Sequence, residues 1–303
     1  MQRTTDTAMR KQKIQPWLAL VRPPNLFTVP GDVVAGFFLA RSAAAPGALC
    51  DLAPLIGASL CLYAAGLILN DWFDLEQDRR ERPGRPIPSG KIRPDAAAAA
   101  ALALMGLAFF LAAASGIASL AVAFAVAALV LFYNGGARRS PLLGFTVMGL
   151  CRGANLLLGA SPMLSEPSAT VWVAAATSAL FVTIISIAAF REAEAPPPRW
   201  TGLVAATAVG AGLCALLLMA GPTPPGVAGA LLVVCLIVRT TSGFGPGMPV
   251  DQVPPRIGAL IRCLIPLQAA FVMTAAPGAL AAALLIYVLW PPSRLLGRRF
   301  SGS

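Results

Sequence analysis

Asn70-Asp71-Trp72-Phe73-Asp74-Leu75-Glu76-Gln77-Asp78 follows directly on the apolar run 53–70, and it brings four of the chain's 13 acidic residues to one place. The run is long enough to cross a bilayer, which takes roughly 20 apolar residues, so the carboxylates stand at the exit of a membrane helix. Continuing that helix at roughly 100° per residue puts Asp71, Asp74 and Asp78 in a stripe about 60° wide and turns Glu76 away, to about 140° from Asp71. Three like charges on one face repel unless a cation sits among them. Hard oxygen ligands on a helix point to magnesium carried by a substrate phosphate, and the stripe reads as a diphosphate clamp.

The rest of the chain agrees with a membrane setting. Of 303 residues, 57% are hydrophobic and 12% charged, against about a quarter charged in a soluble domain. Candidate spans lie near 24–40, 53–70, 96–114, 117–133, 141–160, 170–190, 201–220 and 226–243. The tract 257–290 is too long for one helix, and reads as one crossing plus a re-entrant or surface helix, or as two short crossings meeting at Pro277 and Gly278. The expectation is an all-α, polytopic bundle of about nine transmembrane helices, with ten open. The Ala- and Gly-rich stretches 96–101 and 121–128 suit close helix packing in lipid.

Basic residues orient the bundle, because cytoplasmic loops collect Lys and Arg. Arg3, Arg10, Lys11, Lys13 and Arg22 precede the first span, and Arg79, Arg80, Arg82, Arg85, Lys91 and Arg93 follow the second. Arg138, Arg139, Arg191, Arg199 and Arg256 fall in later loops of the same side, whereas the opposite loops carry only Arg41. The basic N-terminus (1–22) and the loops 71–95 and 190–200 are therefore expected on the cytoplasmic face of the inner membrane. Arg294, Arg298 and Arg299 favour that side too, and with it an even number of crossings. The net charge of +10 suits loops facing an anionic leaflet and calls for no nucleic-acid partner. Arg10 to Lys13, an apolar run and Ser42-Ala43-Ala44-Ala45 mimic a signal peptide, but the charged leader is too long and the following chain too membranous for one.

The chain has no histidine, which excludes an imidazole base, a Ser-His-Asp triad and a histidine-bearing zinc site. Its six cysteines show no C-x-x-C spacing and read as small core residues. Acid and base work falls to carboxylates, Tyr or Lys. Arg152 lies mid-span, where an unpaired charge costs about 2.5–3.5 kcal/mol, so it should face a cavity, with Asn155 one turn on. The loop from Pro83 to Pro94 is stiffened by four prolines, which would hold Arg85 and Lys91 over the mouth.

Asn70-Asp71-x-x-Asp74-x-x-x-Asp78 followed by Arg85-Pro86-Ile87-Pro88-Ser89-Gly90-Lys91 resembles the first signature of the UbiA superfamily of intramembrane prenyltransferases. Arg22-Pro23-Pro24-Asn25 matches that superfamily's opening motif, and Tyr133 with Arg138-Arg139 resembles its Tyr-to-basic motif. The segment Met148-Gly149-Leu150-Cys151-Arg152-Gly153-Ala154-Asn155-Leu156-Leu157-Leu158-Gly159 resembles, more narrowly, the EboC-like branch. The resemblance implies a single UbiA-like domain over 1–303 around a central cavity. It also implies two Asp-rich motifs that bind Mg2+ and a prenyl diphosphate, whose allylic cation alkylates a hydrophobic, aromatic acceptor. On it, Asp71, Asp74 and Asp78 are the metal ligands, with Asp71, Asp74 and Glu192 as catalytic residues. Arg22, Asn25, Asn70, Arg85, Lys91, Tyr133, Arg138, Arg139, Arg152, Asn155 and Arg191 are the substrate-binding set.

The second motif departs from that pattern. In place of two Asp four apart stands Arg191-Glu192-Ala193-Glu194, running into Pro196-Pro197-Pro198. Glu192 and Glu194 lie about 200° apart on a helix and cannot share a face. The expectation is that Glu192 alone reaches the site, as ligand or base, with Arg191 on the diphosphate or on an Asp of the first motif, and with fewer metals than is usual in the superfamily. The alternative is a non-catalytic or repurposed relative that binds or moves a small hydrophobic metabolite.

Overall fold

The computed structural model describes residues 14–41, 49–164, 168–190, 192, 194–275 and 279–300, and every regular element among them is helical. After a helix at 14–21 (α1) come α2 (Pro23–Leu26), α3 (Pro30–Ala40), α4 (Leu49–Phe73), α5 (Leu75–Glu81), α6 (Pro94–Ala114), α7 (Ile117–Gly135) and α8 (Pro141–Ala160). They are followed by α9 (Ala169–Ala189), α10 (Arg199–Ala220), α11 (Pro224–Thr241), α12 (Val253–Arg262), α13 (Leu264–Ala275), α14 (Leu280–Val288) and α15 (Trp290–Phe300). Prolines open α2, α3, α6, α8 and α11 within the first turn, where the missing N–H has no intrahelical partner to lose. Ser168 and Thr223 cap α9 and α11 by accepting from the Thr170 and Gly226 amides.

Among the described residues eight helices are long and apolar enough to cross a membrane, the last being α12 and α13 taken together as Val250–Thr274. The expected first span, 24–40, is instead broken. Pro30 starts a new helix of 11 residues, and the Asp32 amide turns to Val29 O at 3.3 Å instead of reaching back to Thr28. The long tract 257–290 resolves into α12–α13 and a shorter apolar stretch, Leu280–Leu296. Pro277 and Gly278, the expected meeting point, lie outside the described residues.

Two apolar cores form the bundle. One joins α4, α6 and α7 through Leu55, Leu62, Ala101, Ala108 and Val126. The other joins α9 to α14 through Phe181, Leu213, Ile237, Phe271 and Ile286. They meet on α3 and α8, whose residues divide between them: Val33 and Leu158 belong to the first, Ala35, Leu39 and Leu156 to the second. The seam is close because a β-carbon on Gly36 would fall 1.9 Å from Leu156 O, and one on Gly159 2.0 Å from Val33 O. Small residues that let backbones touch are the usual means of helix association in lipid.

Candidate functional site: an acidic mouth over an apolar cavity

Asp74 separates α4 from α5, yet the i to i−4 pattern spans the junction, since Asp74 N donates to Asn70 O and Asp78 N to Asp74 O. Helical periodicity therefore carries through the acidic stretch. Asp71 and Asp78 are buried and Asp74 is half-buried, while the Glu76 side chain is 68% exposed and pairs with Arg79 and Arg80 on the outer face.

A recess of about 320 Å³ is lined by Asn70, Asp74, Asp78, Arg85, Arg138 and Tyr133, with Arg22, Gln77, Glu81 and Arg82 around them. Arg85 donates to Asp78 at 2.7 Å, Arg138 to Asp74, and Asn70 to the other Asp74 oxygen at 3.3 Å. Among the described residues no three acidic or thiol side chains stand as a set able to hold an ion unaided. Asp71, expected as a ligand with the other two, does not line the recess. It stands behind, with Arg22 at 3.4 Å and Arg85 at 3.5 Å on the same oxygen, so that its charge holds two arginines in place.

The loop that supplies Arg85 is compact because Ser89, Gly90 and Ile92 amides bond back to Arg85, Ile87 and Pro86, and because Ile87 and Ile92 are buried beneath it. Arg22 comes from the junction of α1 and α2 with φ 45°, a left-handed conformation that costs a non-glycine residue about 1–2 kcal/mol. Two of the expected substrate contacts are not in the site: Lys91 and Arg139 are exposed and line neither this recess nor the cavity below. Lys91 follows the Gly90 turn outward while Ile92 tucks in. Arg139 and Arg138 are neighbours in one 3-10 turn, about 120° apart, so only one can point inward.

Beneath the recess lies a cavity of about 530 Å³, largely apolar, walled by residues such as Leu62, Val126, Phe145, Val182, Ile185 and Leu264. Arg22, Tyr133 and Arg138 line both spaces and form the neck between them. Asn25, Ser59, Tyr63, Arg152, Asn155 and Glu192 bring polar atoms to the cavity wall. Glu194 is exposed and lines neither space, and Arg191 lies outside the described residues.

Arg152 is an ion-pair partner as well as a wall residue. Its Nε stands 2.6 Å from Asp32 Oδ2, and its Nη2 donates to the Thr28 carbonyl freed by the break before α3. Gln268 of α13 donates to the same carbonyl at 2.8 Å and to Asp32 Oδ1 at 2.7 Å, and Asn155 donates to Asp32 Oδ2 at 2.9 Å. Freed backbone carbonyls at membrane depth need such partners. Asp32 and Gln268, the residues that sequence reasoning misses, carry the same signal as Arg152, a polar side chain inside an apolar tract.

Burial pushes the Glu192 carboxyl above its ordinary value of 4.5, and the Arg82 charge partly offsets this. A raised folded-state pKa means that the folded protein holds the proton more tightly, so stability from this group is complete below 4.5 and is lost as pH rises through the raised value. The Glu192→Gln variant is therefore expected to gain thermal stability relative to wild type as pH is raised from 4 to 7. Parallel melting curves at every pH would contradict the burial argument.

An all-helical membrane protein with an acidic, arginine-braced mouth over an apolar cavity is the class that fold and site define. The model of the UbiA prenyltransferase family matches residues 32–195, and the chain belongs to that family. It is 33% identical over 157 residues to the digeranylgeranylglyceryl phosphate synthase of Methanopyrus kandleri, covering 52% of this chain and 56% of that one. The chain spans about half the length of the curated relatives it matches. An apo UbiA homolog from Aeropyrum pernix K1 superposes with a TM-score of 0.66 at 20% identity, over 82% of this chain and 97% of that one. A UbiA homolog from Archaeoglobus fulgidus bound to DMAPP and Mg2+ gives a TM-score of 0.59 at 14% identity, over 84% of this chain and 99% of that one. At these identities the structural likenesses establish the fold.

Proposed function

We propose that the chain transfers a prenyl group from an isoprenoid diphosphate to a lipophilic, aromatic acceptor within the membrane, with Mg2+ as cofactor. The observation that carries this reading is the pair of joined spaces, a carboxylate- and arginine-lined mouth opening through a cationic neck into an apolar cavity. A diphosphate suits the first and its hydrocarbon the second.

Mg2+ is held in such sites by one or two carboxylates together with substrate phosphates, not by an all-protein cage. The mouth fits that requirement: Asp74 and Asp78 both face it, and no third ligand is needed. These two would hold the ion, which supplies charge neutralisation on the leaving diphosphate. Arg22, Arg85 and Arg138, now paired with aspartates, are the donors that turn to phosphate oxygens as negative charge gathers there. Asp71 acts through Arg22 and Arg85 as a positioning residue.

In the transfer, the bond between C1 and the bridging oxygen breaks, its electrons leaving with the diphosphate. An electron pair of the acceptor then bonds to C1, and the acceptor loses one proton. Leu62, Val126, Phe145 and Ile185 shield the cationic carbon from water. Glu192 is the carboxylate on the cavity wall among the described residues, and it takes the proton. The mouth faces the cytoplasm on this reading, since Arg79, Arg80, Arg82 and Arg85 gather around it.

A non-catalytic carrier of a small hydrophobic metabolite is the second reading, favoured by the salt bridge that each of the three aspartates already makes. Detergent-purified protein incubated with radiolabelled prenyl diphosphates, Mg2+ and candidate acceptors separates the two. Pyrophosphate release that needs both Mg2+ and an acceptor is the expected result. Tight diphosphate binding without release across the panel would favour the carrier.

A further inference from the structure

The cavity holds a cation whose charge is already spent. Arg152 is 8% exposed and Asp32 fully buried, so the pair sits where water does not screen it. Asp32 lies behind the cavity wall and Arg152 and Asn155 form part of it. Every partner of the Asp32 carboxylate is a donor group or a cation: the amides of Gln268 and Asn155 donate to Oδ1 and Oδ2, and the Arg152 guanidinium pairs with Oδ2. That is the surrounding of an ionised carboxylate, which can only accept; a protonated one would need an acceptor for its own O–H. The set is thus one buried cation and one buried anion in contact, with no net charge.

An unpaired arginine at this depth would ask for an anionic ligand, and a carboxylate would answer with two parallel hydrogen bonds. Here a ligand carboxylate would approach a cation already neutralised and would stand close to the Asp32 charge, in surroundings that screen it poorly, after losing its own hydration. Beside the pair, the groups left to greet a ligand are neutral; Arg22 and Arg138, which line the cavity at its neck, are themselves paired with Asp71 and Asp74, and Glu192 adds only a further carboxylate to the wall. Asn155 Oδ1 accepts from the Ser59 hydroxyl at 2.5 Å, and the Tyr63 and Tyr133 rings reach the same wall.

Resting on the transfer reading above, we propose that the acceptor presents an uncharged polar group, a hydroxyl or a carbonyl, to this wall, and that Asp32 sets this specificity by neutralising Arg152. Asp32 does not touch the ligand. It is a positioning residue that decides which charge the cavity tolerates.

The test uses two labelled acceptors, an alkylphenol and the same alkylphenol carrying a ring carboxylate, with binding to the detergent-purified full chain measured at neutral pH. Wild type is expected to bind the uncharged compound at least about tenfold tighter, a factor worth about 1.4 kcal/mol. Asp32→Asn frees the Arg152 charge and is expected to invert the preference, with the carboxylated compound now raising the melting temperature of the variant. The double variant Asp32→Asn/Arg152→Gln removes both charges, and its preference returns to the uncharged compound. It also serves where Asp32→Asn alone does not accumulate. Tighter binding of the carboxylated compound by wild type, or by the double variant, would overturn the proposal, as would an unchanged ratio in folded Asp32→Asn. Pyrophosphate release is scored separately: its absence alongside the expected binding ratios would remove the transfer reading and leave the charge rule of the cavity standing.

Discussion

Asp74→Asn abolishes magnesium-dependent binding of a prenyl diphosphate, and Glu76→Gln leaves it within about twofold of wild type, because two residues of sequence separate opposite faces of one helix. Asp74 faces the mouth, where Arg138 and Asn70 hold its two oxygens. Glu76 faces solvent with Arg79 and Arg80, and such exposed pairs are worth at most about 1 kcal/mol. The amide keeps the size of the Asp74 side chain and removes the charge that a metal requires. Loss of an electrostatic group directed at the reacting charge costs in addition on the order of 10²–10³-fold in turnover. Equilibrium binding of a labelled prenyl diphosphate, with and without Mg2+, measures both variants. Equal losses from the two would remove the argument from helical faces.

Arg152→Ala is expected to cause the largest loss of stability of any single change in the cavity wall, about 3–5 kcal/mol, the usual cost of leaving one partner of a buried pair without the other. Three consequences combine. Asp32 keeps a charge at full burial with only the amides of Asn155 and Gln268 against it. The Thr28 carbonyl loses one of its two donors. The break before α3 loosens, and with it the segment that carries Arg22 and Asn25 to the neck and the cavity wall. Thermal melting in detergent reads the effect, and Asp32→Asn/Arg152→Gln is expected to regain most of it because no buried charge is left alone. A melting temperature for Arg152→Ala equal to that of wild type would contradict the pairing.

The acidic face was legible in the sequence because it depends on local geometry alone. Helical periodicity continues through Asp74, so the positions of Asp71, Asp78 and Glu76 follow from their spacing. What the spacing does not carry is the partner of each carboxylate. Asp71 reads as the equal of Asp74 and Asp78 until Arg22, 49 residues away in sequence, and Arg85 are seen to take its oxygen from behind. The broken first span was hidden for a different reason. Pro30 is as compatible with the start of a helix as with a kink inside one, and only the diverted Asp32 amide distinguishes them. Arg152 was legible as an expensive charge. Its counterion was not, because Asp32 lies 120 residues earlier in a stretch whose apolar composition concealed it, and Gln268 comes from a helix later still. Lys91 and Arg139 show the converse, since a basic residue in a loop carries the same sequence signal whether it turns toward the mouth or away from it.

A structure determined with Mg2+ and an unreactive prenyl diphosphate analogue shows whether the mouth holds the diphosphate and the cavity its hydrocarbon. Metal is expected on Asp74 and Asp78, phosphate oxygens on Arg22, Arg85 and Arg138, the C1 carbon at the neck beside Tyr133, and Glu192 free of metal within reach of the acceptor space. A diphosphate bound outside the mouth, or a second Mg2+ held jointly by Glu192 and Glu194, would contradict this arrangement.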